Sequence, residues 1–173
     1  MMKLNFNKSS GFNLLELMLA VAIAGILAAI ALPNFSVMIK NNCMTTNTNR
    51  LVSSLQLARS EAIKRRTDVT ITANSTTSDN EWGTGWRIYI DSNNNNSVSF
   101  GEEIIRDVQL TCGLGTTKFD GSVSTLDYEA KGYLTTAGSK TFTLCDDRTG
   151  ETGRQITVNE LGRPTTENKH SCS

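Results

Sequence analysis

Between Phe12 and Leu32 the chain carries 21 residues that are apolar except for Asn13, Glu16 and Gly25. A helix of that length spans roughly 30 Å, the thickness of a bilayer's hydrocarbon core. Pro33 then removes a backbone donor and crowds the preceding turn, which predicts a bend or loosening where the helix leaves the apolar zone. Helical periodicity resumes further on: Leu51, Leu55, Ala58 and Ala62 recur at spacings of four, three and four, and Ile63 widens that stripe. Arg50, Arg59, Glu61, Lys64, Arg65 and Arg66 fall on the opposite side. From Thr67 to Thr72 the period becomes two, so helix hands over to strand there. Strand alternation returns in Trp86–Asp91, after the turn Trp82-Gly83-Thr84-Gly85, and in Ile104–Leu110, Thr141–Cys145 and Gly153–Asn159. Trp86 is expected in the core, and Trp82 is expected to be the more exposed of the two tryptophans.

The 173 residues allow one membrane element and one modest globular domain. Seventeen basic residues balance seventeen acidic ones, which points away from a chain whose whole surface is built for nucleic acid. Few aromatics and many Ser, Thr, Asn and Gly fit a sheet-rich domain with many turns. An enzyme is also disfavoured: His170 is the single histidine and stands in a polar tail, and no nucleophile elbow or phosphate-cradling glycine loop occurs. Asp146 and Asp147 are adjacent, so on a strand they point to opposite faces; they are expected to shape a turn.

Glu16 is the informative residue. A carboxylate inside a bilayer-length helix costs about 2.5 to 3.5 kcal/mol on insertion scales, so it requires a partner. A new chain terminus would supply one if the segment Met1–Gly11, with Lys3 and Lys8, were removed and Phe12 became the first residue. Unlike a secretory signal, the apolar run would then follow the cut and stay in the mature chain. Leader charge, Gly11, Phe12, Glu16 and the apolar run together resemble the class III leader of type IV pilins and type II secretion pseudopilins. The resemblance implies that a prepilin peptidase cleaves after Gly11 and methylates the amine of Phe12. It also implies that Glu16 meets the N-terminal amine of a neighbouring subunit. Loss of the leader leaves 15 basic against 17 acidic side chains. The small residues Ala20, Ala22, Ala24, Gly25, Ala28, Ala29 and Ala31 permit close helix approach or simply favour helix.

The stretch LVSSLQLARSEAIKRR from Leu51 to Arg66, then GWRIYIDSNNN, LCDDR and GRQITVN, resemble the GspH/FimT-type minor pilins. Some members of that group bind DNA during natural transformation, through a final glycine-arginine pair followed one residue later by a second arginine. Here Gly162-Arg163 is followed by Pro164 and then Thr165. Loss of a cation lowers both affinity and salt dependence. The residues left for such a contact are Arg148, Arg154, Arg163 and Lys169, with His170 beside them. From Lys140 to Ser173 five basic residues meet five acidic ones, which favours solvated or ion-paired arginines. The basic cluster at the helix end likewise reads either as a cap on the helix dipole or as a contact surface.

Two further features concern staples and metals. Cys43, Cys112, Cys145 and Cys172 form an even set without C-x-x-C spacing, which favours disulfides in an oxidising compartment. Of the three pairings, Cys145 with Cys172 would tie the last strand region to the tail, leaving Cys43 with Cys112 as a second bridge or as free thiols. Asp91, Asn93, Asn95 and Glu102 occupy the first, third, fifth and twelfth positions of the calcium-loop pattern, but Asn96 replaces the sixth-position glycine and strands flank the loop. The alternative is a polar hairpin connection with no metal.

The expected protein is therefore an α+β pilin: leader 1–11, membrane and assembly half of the helix 12–33 with Glu16 and Pro33, second half 34–66 packed on an antiparallel sheet, and a β-rich domain 67–173. The resemblance implies a minor pilin that primes or caps a type IV pilus, anchored once in the bacterial inner membrane with its C-terminal domain in the periplasm. Its partners would be other major and minor pilins or pseudopilins and the prepilin peptidase, with no cofactor required. A pseudopilin H-like component of a type II secretion system and a DNA-binding minor pilin are the alternatives.

Overall fold

The computed structural model describes residues 13–75, 82–110, 118–148 and 150–172. Helix α1 runs from Leu14 to Arg65, followed by β1 (Val69–Ala73), β2 (Gly85–Tyr89), β3 (Ile104–Gln109), β4 (Lys118–Gly121), β5 (Thr125–Tyr128), β6 (Lys140–Cys145), β7 (Gly150–Val158) and β8 (Pro164–Cys172). The chain divides between Met38 and Ile39 into two compact units.

In the first unit α1 starts on an N-cap. The Asn13 side-chain oxygen accepts the Leu15 N–H at 3.4 Å, and its carbonyl accepts the Glu16 and Leu17 N–H groups, satisfying donors that a helix start leaves open. The backbone remains helical through Pro33.

In the second unit the helix ends where Arg66 takes a left-handed conformation (φ 56°). Two four-stranded antiparallel sheets follow, ordered β3-β2-β1-β5 and β4-β6-β7-β8, where a single sheet had been expected. The helix stripe of Leu51, Leu55, Ala58 and Ala62 is wholly buried, extended upstream by Met44. It shares one core with Ile71, Ile88 and Leu126 of the first sheet and Phe142, Leu144 and Ile156 of the second. Ile63 does not widen that stripe: it is 45% exposed, lying against Gly132.

Trp82 is the second departure from expectation, being fully buried rather than the exposed tryptophan. The turn before β2 folds it inward, with Trp82 N–H on the Phe119 carbonyl at 2.9 Å and Gly85 N–H on the Trp82 carbonyl at 3.1 Å. Its ring meets Phe142 edge-on at 4.9 Å, and its Nε1–H donates to the Val123 carbonyl at 2.9 Å. Gly121 makes the space, since a Cβ there would lie 2.5 Å from that Nε1.

Cys145 and Cys172 form a disulfide joining the ends of β6 and β8. Gly153 passes beneath it, where a Cβ would press on both sulfurs. Cys43 is also disulfide-bonded, whereas Cys112 lies outside the described residues. With a sequence separation of 27, the Cys145–Cys172 bridge is worth about 3 to 4 kcal/mol in the chain-entropy account. Replacing both cysteines by serine should therefore lower the melting temperature by roughly 10 °C, read by circular dichroism. A shift under about 2 °C would show that the unfolded chain gains little freedom when the bridge is gone.

Candidate functional site

The described apolar side chains of the first unit form an exposed surface. Leu14, Leu15, Leu17, Met18, Leu19, Val21, Ile23, Ile26, Leu27 and Ile30 are all exposed, and an 18-residue window reaches a mean hydropathy of 2.5 with none of it buried. By length and composition the helix can cross a membrane. A helix apolar all round is stable only when lipid or other helices cover it. Glu16 stands exposed in its first turn, where the helix dipole favours a negative charge. Gly11 and Phe12 lie outside the described residues, as do the side chains of residues 31–34, Pro33 among them.

The arginines of the C-terminal strands are dispersed. Arg148 is consumed locally: its Nε donates to Asp146 Oδ2 at 2.8 Å, and Nη2 donates to the same oxygen and, at 3.0 Å, to Asn41 Oδ1 on the helix. Burial acts to raise the Asp146 carboxyl, but the Arg148 guanidinium and N–H outweigh it, with help from Lys40, and hold it below the usual range. Asp147 pairs with Lys40 at 2.6 Å, so LCDDR fastens the β6–β7 turn to the helix. Arg154 donates to the Asn168 carbonyl at 2.6 Å across to β8. Arg163 is exposed in the β7–β8 turn, where its N–H is held by Asn159 Oδ1 at 2.9 Å. Arg148 and Arg163 thus flank opposite ends of the nine-residue β7, roughly 25 to 30 Å apart. The Lys169 side chain lies outside the described residues, and His170, expected in a polar tail, is part of β8 and pairs with Gly153.

The basic cluster at the helix end is tied down as well. Arg65 bonds Glu61 through Nε at 2.6 Å and Glu103 through Nη1 at 2.8 Å, fastening α1 to the β2–β3 connection. Arg59, which sequence reasoning left as a surface charge, donates through Nε to the Gly132 carbonyl at 2.9 Å.

The Asn-rich connection between β2 and β3 turns its oxygens on itself. Asp91 accepts the N–H groups of Asn95 and Asn96 at 3.2 and 2.7 Å. Asn93 Oδ1 accepts the Asn95 N–H at 3.1 Å, and Asn95 Oδ1 accepts the Ser97 N–H at 2.8 Å. Glu102 takes those of Ser92 and Ser99 at 3.1 and 2.7 Å. Asn94 and Asn96 adopt left-handed backbone conformations, φ 55° and 57°, which asparagine tolerates. Among the described residues, no three His, Cys, Asp or Glu side chains gather closely enough to hold a metal ion.

This connection borders a recess of about 210 Å³ lined by Asp68, Thr70, Asp91, Asn94, Asp127 and Thr135 among others. Thr70 opposes Tyr89 on one side and Asp127 on the other, so the three side chains leave the same face of the first sheet, opposite the core face of Ile71, Ile88 and Leu126. Thr70 Oγ1 donates to Asp127 Oδ1 at 2.6 Å. Burial raises the Asp127 carboxyl, the Thr70 hydroxyl opposes this, and Asp91 and Asp68 add to the rise. Burial, then Asp91, Asp127 and Glu102, push the Tyr89 phenol upward. Sequence reasoning missed Asp68, Tyr89 and Asp127, which only strand pairing brings together.

Two family patterns match the chain: type II transport protein GspH over residues 47–162, and the prokaryotic N-terminal methylation motif over residues 6–32. The chain is similar to crystal structures of the type IV minor pilin FimU of Pseudomonas aeruginosa strain PAO1. One has a TM-score of 0.65 at 25% identity, covering 79% of this chain and 99% of that one. A second crystal form has a TM-score of 0.54 at 26% identity, covering 75% and 99%. The minor pseudopilin EpsH of the type 2 secretion system of Vibrio cholerae shares the fold, with a TM-score of 0.50 at 12% identity over 72% of this chain and 96% of that one. No curated protein sequence gives a significant match.

Proposed function

Because the chain belongs to the GspH family and is a minor pilin or pseudopilin of a type IV pilus or type II secretion system, we propose that it primes or caps a type IV pilus. It would act without turnover, by insertion of its N-terminal helix among those of other pilin subunits. The observation that carries this reading is the apolar helix of the first unit, whose described apolar side chains are exposed and which bears one carboxylate in its first turn. Such a helix can wait in the inner membrane and then exchange lipid for other helices, which are equally apolar. The methylation motif spans the Gly11–Phe12 junction, which supports cleavage there by a prepilin peptidase and a methylated Phe12 amine. Once the leader is gone, the β-rich unit would face the periplasm.

The pilus is favoured over the secretion machine by the higher similarity to FimU than to EpsH in both TM-score and identity. A duplex-binding role draws little support from arginines spread over opposite ends of a strand and already bonded to Asp146 and to the Asn168 carbonyl. The test is deletion and complementation in the native host, with surface pili counted by electron microscopy and secreted proteins profiled in parallel. Loss of most pili, restored by the wild-type chain, is the expected result. Normal piliation with defective secretion would assign the chain to the secretion machine instead.

A further inference from the structure

The edge strand β8 brings almost nothing apolar to its sheet. Among its described side chains only Cys172 is buried, and no described residue of β8 belongs to the hydrophobic core. Its ladder with β7 is regular from Val158↔Pro164 to Gln155↔Glu167, then shifts register on both sides of Gly153, so the last residues keep only the pairs Gly153↔His170 and Gly150↔Cys172. Arg154 Nη1 holds the Asn168 carbonyl at 2.6 Å just before that stretch. A polar edge with an interrupted ladder opens at low free energy. What fixes residues 169–172 is therefore the disulfide to Cys145, which passes over β7 at Gly153 to join β6 and β8. Cys43 is disulfide-bonded as well, but it lies on α1 and does not hold this strand. The Cys145–Cys172 bridge is also open to attack, because both cysteines line a recess of about 270 Å³. Cys145 is the more exposed partner, Cys172 being only 7% exposed. Lys118 pairs with Cys145 across β4 and β6, so its exposed side chain leaves the same face and offers a cation to an incoming thiolate, tempered by Asp120 in the same recess.

We propose that Cys145–Cys172 is a redox-cleavable latch: a protein dithiol opens it from this recess, and residues 169–172 then leave the sheet while the rest of the second unit stays folded. The first thiolate of the dithiol attacks Cys145 Sγ and forms a mixed disulfide. The old S–S bond breaks with its electron pair on Cys172 Sγ, which takes a proton from water. The second thiol of the dithiol, once deprotonated, attacks its partner sulfur in the mixed disulfide and expels the Cys145 thiolate, which is protonated in turn. Two electrons have passed: the dithiol ends as a disulfide, and Cys145 and Cys172 end as thiols. No core side chain departs with the released segment, since Cys172 is the one buried group among the described side chains of β8. Its departure leaves residues 150–153 of β7 as an unpaired edge, open to a strand of another chain.

The full-length chain in detergent tests this. Dithiothreitol without denaturant, followed by iodoacetamide and peptide mapping, should label both Cys145 and Cys172. Hydrogen exchange is then compared among the oxidised chain, the reduced chain and the double variant Cys145→Ser with Cys172→Ser. Loss of the bridge should speed exchange in residues 169–172, relative to residues 155–158, on the order of tenfold or more, at a rate indifferent to low concentrations of urea, as local opening requires. Residues 155–158 should stay protected, with exchange that rises with urea. If residues 169–172 remain as protected as 155–158 once the bridge is gone, backbone pairing alone holds the strand and the latch is overturned. It is overturned equally if dithiothreitol fails to open the bridge until denaturant is added. Loss of protection in β6 and β7 together with residues 169–172, or failure of the serine variant to fold, would make the bridge a staple for the whole unit and defeat the proposal as well.

Discussion

Replacing Glu16 by alanine is expected to abolish entry of the chain into a filament while leaving cleavage after Gly11 intact. The two steps would separate physically because a peptidase would read the leader junction, whereas Glu16 would matter only once the helix left lipid for a packed bundle. In that bundle the amine of Phe12 on one subunit would have to be desolvated together with a carboxylate on another. Removing one member of a buried ion pair strands the other and costs about 3 to 5 kcal/mol, which is roughly two to nearly four powers of ten in an assembly equilibrium. The wild-type helix offers no other acid for the purpose: Glu16 is the sole charged residue from Phe12 to Leu32. The measurement is the ratio of chain in sheared filaments to chain in membranes, with mass spectrometry of the mature N-terminus as the control for cleavage. Incorporation within a factor of about two of wild type would refute the pairing.

The second large effect is structural. Gly85→Ala should unfold much of the second unit, because Gly85 opens β2 at φ +116° and a Cβ there would drive into the Val108 carbonyl, with Gln109 Cα 2.9 Å away. Both obstacles are backbone of the partner strand, so no side-chain rotation relieves them. Holding alanine in that conformation adds about 1 to 3 kcal/mol of its own. The strand that would have to shift carries Trp86, Ile88 and Tyr89, all wholly buried, so relief of the clash is bought with core packing. A loss above about 4 kcal/mol follows, roughly 10 to 15 °C in melting temperature. Gly138→Ala is the matched control: its φ is +84°, but nothing lies within 4 Å of the added Cβ, so it should lose only about 1 to 3 kcal/mol to backbone strain. Equal melting temperatures for the two variants would show that the β2–β3 pair yields more easily than its geometry implies.

Much of the fold could be read along the chain, in places where a local period meets a single buried face. Leu51, Leu55, Ala58 and Ala62 repeat at helical spacing because in the second unit one side of α1 is buried in the core it shares with both sheets. Strands β1, β2, β6 and β7 announce themselves by alternation for the same reason. The eighth strand, PTTENKHSC, has no such signal: it forms the edge of its sheet, is largely polar, and opens on proline where a ladder donor is not needed. Strands β4 and β5 have four residues each, too few to display a period. Trp82 was misplaced because glycines nearby suggest an open turn, whereas the indole fits only into a space that Gly121, some forty positions later, leaves for it.

The arginines make the same point for the site. Counting charges from Lys140 to Ser173 foretold neutrality but could not assign partners, and Arg148 turned out to serve Asp146 and Asn41. What the sequence determined by itself was whatever depends on length, period and the chemistry of single residues: the bilayer-length apolar helix, the isolated acid within it, the buried helix stripe and the even set of cysteines. Only the tertiary structure decided what depends on register between distant strands: two sheets instead of one, the burial of Trp82, the dispersal of the arginines, and the meeting of Asp68, Asp91 and Asp127 around one recess. The reason is range. Hydrophobic periodicity is written into neighbouring residues, whereas the field at a carboxylate is set by whichever groups the folded sheet carries to within a few ångströms of it.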